Sequence, residues 1–153
     1  MNMGFKLGKN KVIKSTKYKY FPKDKDELKG IIRKQLAEDD NANLNDIDVS
    51  KIKDMNNLFL GLEPYNIDIS EWDVSNVEDM ESMFYGCENF NCDLSTWDVS
   101  NVKDMYEMFS FCSKFNSDLS NWNVSNVDDM SFMFTGCYAL KNKPSWYKLK
   151  MKY

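Results

Sequence analysis

The chain contains few of the side chains that usually carry out catalysis. Among its 153 residues are 24 Asp or Glu, four Cys and ten Met, but no His. Without histidine it lacks the commonest general base, the usual Ser-His-Asp triads and most zinc-binding sets. A pair of carboxylates could still act as the acid and base of a glycosidase. The composition favours a protein that binds without catalysis, and we expect no enzymatic activity, no cofactor and no metal.

Two patterns have some likeness to metal sites. The stretch DDNANLNDID, which starts at Asp39, has the composition of a calcium-binding loop, but it lacks the ligand spacing and the closing Glu of an EF-hand. The methionines could bind copper or line an adaptable groove. Their regular spacing in the repeat described next instead favours packing in the core.

A 25-residue repeat organises the middle of the chain. Its clearest copies are WDVSNVEDMESMFYGCENFNCDLST, from Trp72, and WDVSNVKDMYEMFSFCSKFNSDLSN, from Trp97. A third copy starts at Trp122 and a more divergent one at Ile47. A fixed period of this kind is typical of solenoids, whose units bury their apolar faces only by stacking on neighbours. Asp at equivalent positions is then a product of the repeat, which weakens the case for a catalytic carboxylate pair.

Each copy predicts a strand, a turn, a short helix and a second turn. Trp97 and Val99 alternate with polar residues, as on the inward side of a short strand. Asn101 could then cap a helix, with Asp104 in its first turn. The next apolar residues have the i, i+3, i+4, i+7 spacing of one helix face, namely Met105, Met108, Phe109 and Cys112. We therefore expect an α/β solenoid, a leucine-rich-repeat-like stack of about four such coils.

Alignment of the copies places like residues in register. Four apolar columns should face inward: Ile47, Trp72, Trp97, Trp122 and Tyr147; Val49, Val74, Val99, Val124 and Leu149; Met55, Met80, Met105 and Met130; Phe59, Phe84, Phe109 and Phe134. Cys87, Cys112 and Cys137 form a further column, expected to hold reduced thiols because parallel side chains fit a disulfide poorly. Polar columns, such as that of Asp79 and Asp104, should satisfy backbone groups where the chain bends.

Residues 1–43 and 141–153 should close the two ends of the repeat region, 44–140. Asp24 and Glu27 resemble a capping box, and an apolar stripe follows them, which predicts an amphipathic helix over 24–38. Before that helix, residues 5–13 could form a hairpin. After Pro144, apolar residues alternate with lysines. This alternation predicts a C-terminal capping strand that buries Tyr147, Leu149, Met151 and Tyr153.

The consensus WDVSNVxDMxxMFxxCxxFNxDLSxW resembles a bacterial surface protein repeat of similar length. That repeat is grouped with BspA-like leucine-rich repeats and occurs in mycoplasmas, Listeria and mobile elements. The resemblance covers residues 44–140, and residues 19–55 resemble the segment that precedes the first repeat in many members. It implies a leucine-rich-repeat-like solenoid and an association with surface proteins, adhesion and protein contact. It implies neither an activity nor a cofactor.

Charge is divided unevenly along the chain. Residues 1–35 hold 11 Lys or Arg and 3 Asp or Glu, and residues 141–153 hold five Lys, whereas residues 36–140 hold 4 basic and 21 acidic residues. The acidic middle should repel nucleic acids and anionic membranes. No stretch has the apolar length of a signal-peptide core or a membrane span. We expect a cytoplasmic location for the chain as written, or the cell surface if a signal was removed.

We expect the exposed side of the stacked strands to bind a protein partner, and a basic protein fits the charge best. The candidate partner-binding residues flank the inward Ile47 and Trp column: Asp46, Asp48, Glu71, Asp73, Thr96, Asp98, Asn121 and Asn123. A second candidate surface, on the predicted helix side, varies more between copies and includes Glu78, Glu81, Tyr85, Tyr106 and Glu107.

Two further hypotheses stay open. The acidic middle could imitate nucleic acid and occupy a nucleic-acid-binding protein. Alternatively, the basic ends could dock on the acidic flanks of another copy and form an oligomer, which salt would weaken.

Overall fold

The computed structural model describes residues 17–64 and 66–150. Over these residues the regular elements are two helices, α1 at Lys25–Glu38 and α2 at Ser145–Lys150, and the β-structure consists of isolated parallel bridges. The predicted α/β solenoid of strand–turn–short-helix coils is therefore wrong. The repeats in the described residues are built from turns, with neither a regular helix nor a sheet. The hairpin predicted over residues 5–13 lies outside the described residues.

Helix α1 begins where the sequence predicts. The Asp24 side chain accepts the N–H of Glu27 at 2.9 Å, and the Glu27 carboxylate accepts the N–H of Lys23 at 2.9 Å. The first contact satisfies an N–H group that the first turn of a helix leaves open, and the second satisfies the N–H of Lys23, just before the Asp24 cap. Leu28 and Ile32 are fully buried against the first repeat. The apolar stripe of α1 therefore covers one end of the core.

A run of linked turns takes the place of the predicted short helix in each repeat, and we call it the turn ribbon, at residues 54–62, 79–87, 104–112 and 129–137. Met105, Glu107 and Phe109 donate their N–H groups to carbonyl oxygens of the next repeat, at 2.8, 3.0 and 3.0 Å. Met108 and Ser110, on either side of Phe109, donate instead to carbonyls three residues back in their own repeat. Alternate residues thus bond outside and inside the repeat.

The turn ribbon is favoured over a helix because carbonyl groups of the neighbouring copy accept hydrogen bonds that a helix would make within itself. A helix of about two turns is marginal on its own, since nucleation is costly. Pairing with the next copy requires a left-handed residue in each turn. One such column has φ values between 52° and 58°, at Asn57, Ser82, Glu107 and Phe132. A second, mostly glycine, has φ between 61° and 73°, at Gly61, Gly86, Phe111 and Gly136.

The predicted apolar columns do face the core, although the backbone that carries them differs. Met105, Met108, Phe109 and Cys112 are all fully buried. The rings of Phe84 and Phe109 lie 5.4 Å apart and within 5° of parallel, and those of Trp72 and Trp97 lie 6.5 Å apart and within 3°. Each tryptophan indole also donates to a backbone carbonyl, as Trp97 does to that of Ile69 at 3.2 Å. The core is therefore a set of stacked side chains running across the repeats.

Aspartates hold the bends, as the polar columns predict, but not as helix caps. The Asp104 carboxylate accepts the N–H of Tyr106 at 2.8 Å, and Asp54, Asp79 and Asp129 make the equivalent bond. Asn101, expected to cap a helix, instead donates its side-chain amide to the carbonyl of Ser75 in the previous repeat at 2.7 Å. Side-chain-to-backbone bonds of this kind stabilise turns.

Helix α2 replaces the predicted capping strand. Trp146 stacks on Trp122 at 6.4 Å, and Tyr147 packs edge-on against Phe134 at 5.0 Å. Trp146, one residue earlier than the 25-residue period would place it, therefore continues the tryptophan column. Strand alternation would bury only one of two adjacent residues, whereas a helical turn lets both pack on the last repeat. Leu149, expected to be buried, is 65% exposed, and residues 151–153 lie outside the described residues.

Hydrogen exchange distinguishes the turn ribbon from a helix. Glu107 and Phe111 donate to the next repeat, whereas their counterparts in the last repeat, Phe132 and Gly136, have no acceptor among the described residues. We expect the amides of Phe132 and Gly136 to exchange on the order of tenfold faster or more, measured by nuclear magnetic resonance. Met133, bonded within its own turn, serves as a control in the same repeat. Equal protection at all four positions would indicate a helix.

Candidate functional site

Most of the predicted partner-binding side chains bond within the chain. Four of them accept the N–H of the serine two residues later: Asp48, Asp73, Asp98 and Asn123. At Asp98, hydrogen bonds from the hydroxyl and N–H of Ser100 lower the pKa of the carboxyl below its usual range. These side chains therefore cap turns. A partner could bind them only by competing with the serine N–H groups for the same acceptor oxygens.

The other four predicted positions are Asp46, Glu71, Thr96 and Asn121. Lys19 forms an ion pair with Asp46 at 3.1 Å, and Lys17 forms one with Glu71 at 2.9 Å. The Thr96 hydroxyl donates to the carbonyl of Ser70 at 3.5 Å, and Asn121 is exposed. The segment before α1 thus covers part of this row, which leaves a partner few free polar groups.

Aromatic side chains project from the outer side of the turn ribbons, and we call four of them the aromatic face: Tyr85, Tyr106, Phe111 and Phe132. Tyr85 and Phe111 meet edge to face at 5.6 Å and 75°, and Tyr106 and Phe132 do so at 5.9 Å and 86°. Phe111 and Phe132 are 45% and 56% exposed. Each pair spans two successive repeats, so each of these exposed rings packs against a ring of the neighbouring copy.

The two phenylalanines occupy positions that do not favour them. Phe111 has φ 61° where the equivalent residue of three other copies is glycine, and Phe132 has φ 58°. A bulky residue in the left-handed region costs about 1–3 kcal/mol relative to a relaxed backbone. Core packing does not repay that cost, because both rings are substantially exposed. Exposed aromatic residues kept at strained positions are typical of binding surfaces.

Gly136 provides the space that the ring of Phe111 occupies. A Cβ atom added to Gly136 would lie 2.8 Å from the Cδ1 atom of Phe111, whereas one added to Gly86 would meet nothing within 4 Å. The ring of Phe111 therefore packs against Gly136 of the next repeat and meets the ring of Tyr85, in the previous repeat, edge to face. The orientation of the ring is fixed by packing.

Carboxylates lie close to the aromatic face. Partial burial, together with the charges of Asp104 and Asp79, raises the pKa of Glu81 above its usual range, and Glu107 and Asp129 add to the effect. Burial also raises the pKa of Asp104, as do the charges of Asp79 and Asp129. None of these five carboxylates has a Lys or Arg within ion-pair distance among the described residues. The surface therefore combines exposed rings with negative charge that is not neutralised.

The thiols, by contrast, are unsuited to surface chemistry. Cys87, Cys92, Cys112 and Cys137 are free and buried, as predicted for reduced thiols. Burial raises the pKa of Cys87 to about 12 and that of Cys137 to about 11, and it raises that of Cys112 further. A thiol is a nucleophile only as the thiolate, so these groups are inert at neutral pH.

Across 17–64 and 66–150, no group of three or more Cys, Asp or Glu side chains is arranged to hold a metal ion. Neither α1 nor α2 is long and apolar enough to cross a membrane.

Sequence reasoning found part of the aromatic face. It proposed Tyr85 and Tyr106, with Glu81 and Glu107, as an alternative surface on the predicted helix side. Phe111 and Phe132 were missed, because a helix would not have brought them against those tyrosines. A signal for Phe111 was present: it interrupts a column that is glycine in its neighbours.

Acidification tests the repulsion among the carboxylates. Since the folded chain raises the pKa of Glu81 and Asp104 above 4.5 and 3.8, their ionisation destabilises it at neutral pH. We expect Glu81→Gln to raise the Tm at about pH 7 and to have little effect at about pH 3, where the carboxyl is mostly protonated in both the folded and the unfolded chain.

The control is Asp98→Asn, because a lowered pKa means that the charge of Asp98 stabilises the folded chain at neutral pH. This change should not raise the Tm at about pH 7. Thermal unfolding followed by circular dichroism at constant ionic strength measures both. An equal gain from Glu81→Gln at the two pH values would contradict the repulsion.

Two glycine substitutions test how Phe111 is held. Gly86→Ala should cost about 1 kcal/mol, from the left-handed backbone alone. Gly136→Ala has almost the same φ and should cost more, because the new methyl group meets the Phe111 ring. In a Phe111→Gly background the cost of Gly136→Ala should fall but stay above that of Gly86→Ala, because the Cα atom of residue 111 lies 3.2 Å from the added Cβ atom whatever its side chain; urea unfolding would measure the change. An unchanged cost would show that the ring does not rest on Gly136.

Comparison with known proteins places the chain in a family. No curated protein and no solved structure matches it. A family model described as "Mycoplasma protein of unknown function, DUF285" matches residues 27–147. That match runs from the first turn of α1, through every turn ribbon, to Tyr147 of α2. The chain, with its stacked aromatic core and its aromatic face, belongs to the DUF285 family.

Proposed function

We propose that this protein is a non-catalytic protein-binding module whose contact surface is the aromatic face. The observation that carries the proposal is that Phe111 and Phe132 are exposed in left-handed backbone, where the other copies carry three glycines in one column and Asn57, Ser82 and Glu107 in the other. Tyr and Phe are enriched at protein interfaces, since rigid rings bury much area at small entropic cost. Pre-ordered rings would strengthen this advantage, because little freedom is lost on binding.

The turn-ribbon side suits a partner better than the polar row, the name we give to the eight side chains predicted to bind a partner: Asp46, Asp48, Glu71, Asp73, Thr96, Asp98, Asn121 and Asn123. Asp73 and Asp98 already bond to their own serines, so a partner there would replace existing hydrogen bonds. The rings of Phe111 and Phe132, in contrast, expose apolar surface that water solvates poorly. The resemblance of the repeat to BspA-like repeats of surface proteins adds an expectation of protein contact. Burial of the rings by a partner is therefore the larger available gain in free energy.

A double variant tests the proposal without harming the fold. Phe111→Gly and Phe132→Asn introduce residues found at the equivalent positions of other copies, Gly86 and Asn57. Both changes relieve left-handed strain, so the Tm should stay the same or rise. We expect this variant to lose the proteins that the unmodified chain captures from a lysate, as quantified by mass spectrometry.

The matched control is Asp73→Asn with Asp98→Asn, on the polar row. Asn123 shows that asparagine makes the same cap to Ser125, so the fold should persist and capture should be unaffected. An unchanged captured set with the aromatic double variant would refute the aromatic face as the contact surface. Loss only with the control pair would assign binding to the polar row instead.

A further inference from the structure

The first repeat shows which group the acidic column attracts. Asp54 is the first member of the column that continues through Asp79, Asp104 and Asp129, and these four are joined by parallel bridges. Lys25 of α1 forms an ion pair with Asp54 at 2.8 Å and also donates to the side chain of Asn56. Lysine from α1 thus supplies a cation to the first position of the column.

Among the described residues, no Lys or Arg forms an ion pair with the later positions of the same columns. Asn56 is equivalent to Glu81 in the next repeat and to Tyr106 in the one after it. The charge there is greater, because Glu81 and Glu107 add to the aspartates, and helix α1 does not reach these repeats. After burial, the charges of Asp104 and Asp79 contribute to the raised pKa of Glu81, and a cation placed beside these carboxylates would relieve that repulsion. The surface is therefore complementary to positive charge.

Resting on the proposed function, we infer that the aromatic face binds an arginine-bearing segment of a partner protein, with guanidinium groups placed between the rings and the carboxylates of Glu81 and Glu107. Arginine fits both components. Its planar guanidinium stacks on aromatic rings and bonds carboxylates in a bidentate manner, whereas lysine offers a compact, strongly hydrated charge.

An uncharged apolar segment fits less well. It would cover the carboxylates as well as the rings, and desolvating a charge without pairing it is costly. An acidic segment would meet repulsion from the same groups. The occupant that satisfies the rings and the charges together is cationic and planar.

Labelled peptides provide the test. The probes are a fluorescein-labelled peptide of alternating Gly and Arg, its lysine version, and its citrulline version, which keeps the shape of arginine without the charge. Fluorescence anisotropy with the full chain at low salt should give the order arginine, then lysine, then citrulline. Binding should weaken when the salt is raised to about 0.5 M, where the Debye length falls to a few ångström.

Two charge-matched variants locate the contact. Glu81→Gln with Glu107→Gln removes two negative charges from the aromatic face, and Asp73→Asn with Asp98→Asn removes two from the polar row. We expect the first pair to weaken the arginine peptide on the order of tenfold and the second to change it little. Phe111→Gly with Phe132→Asn should also weaken the arginine peptide and reduce its advantage over lysine. Circular dichroism confirms that each variant is folded.

Several outcomes would overturn the inference. Equal weakening by the two charge pairs would mean attraction to overall charge, and equal binding of the citrulline peptide would mean apolar recognition. No binding by any probe would reject arginine as the recognised group. If lysate capture still depends on Phe111 and Phe132 in that case, the aromatic face remains the binding surface and only the partner chemistry is wrong.

Discussion

Hydrogen bonds between alternate residues of neighbouring turn ribbons determine the rest of this structure. A single repeat cannot make them, because the carbonyl that accepts the N–H of Glu107 belongs to the next copy. The bonds fix the spacing of the repeats, which brings Phe84 and Phe109 to 5.4 Å and Phe109 and Phe134 to 5.8 Å in near-parallel stacks. Backbone pairing and ring packing therefore reinforce each other, and neither would persist without the other.

The same pairing decides which side of the molecule is available to a partner. On the polar row, the sharp bends need side-chain acceptors, so Asp73 and Asp98 are committed to the chain's own backbone. On the turn ribbons, most N–H groups bond to backbone carbonyls and the aspartate column accepts those of the first bend, so side chains such as Tyr106 and Phe132 are not needed as acceptors. The polar side chains that hold the bends therefore lie on one side of the molecule, and the exposed side chains on which the proposed binding role depends lie on the other.

The sequence predicts the inward columns, helix α1 and the buried thiols, because each depends on apolar spacing or on a local cap. It misleads about the backbone between them, since Met105, Met108, Phe109 and Cys112 have helical spacing yet are also the inward residues of a turn ribbon. The left-handed conformation of Glu107 and Phe132 has no signature in residue type. Only pairing with a neighbouring copy makes it favourable. Pairs such as Tyr106 with Phe132 follow from that pairing and could not be foreseen without it.

The two helices pack on the two ends of the repeat region through the aspartate and tryptophan columns, which run through the repeats. Lys25 of α1 meets a member of the aspartate column, and Trp146 of α2 donates to the carbonyl of Leu119 as the tryptophans before it do to theirs. Neither helix depends on how many copies lie between them. Duplication or loss of one 25-residue unit would therefore preserve the types of contact that both helices make, and the length of the stack can change through gene length alone.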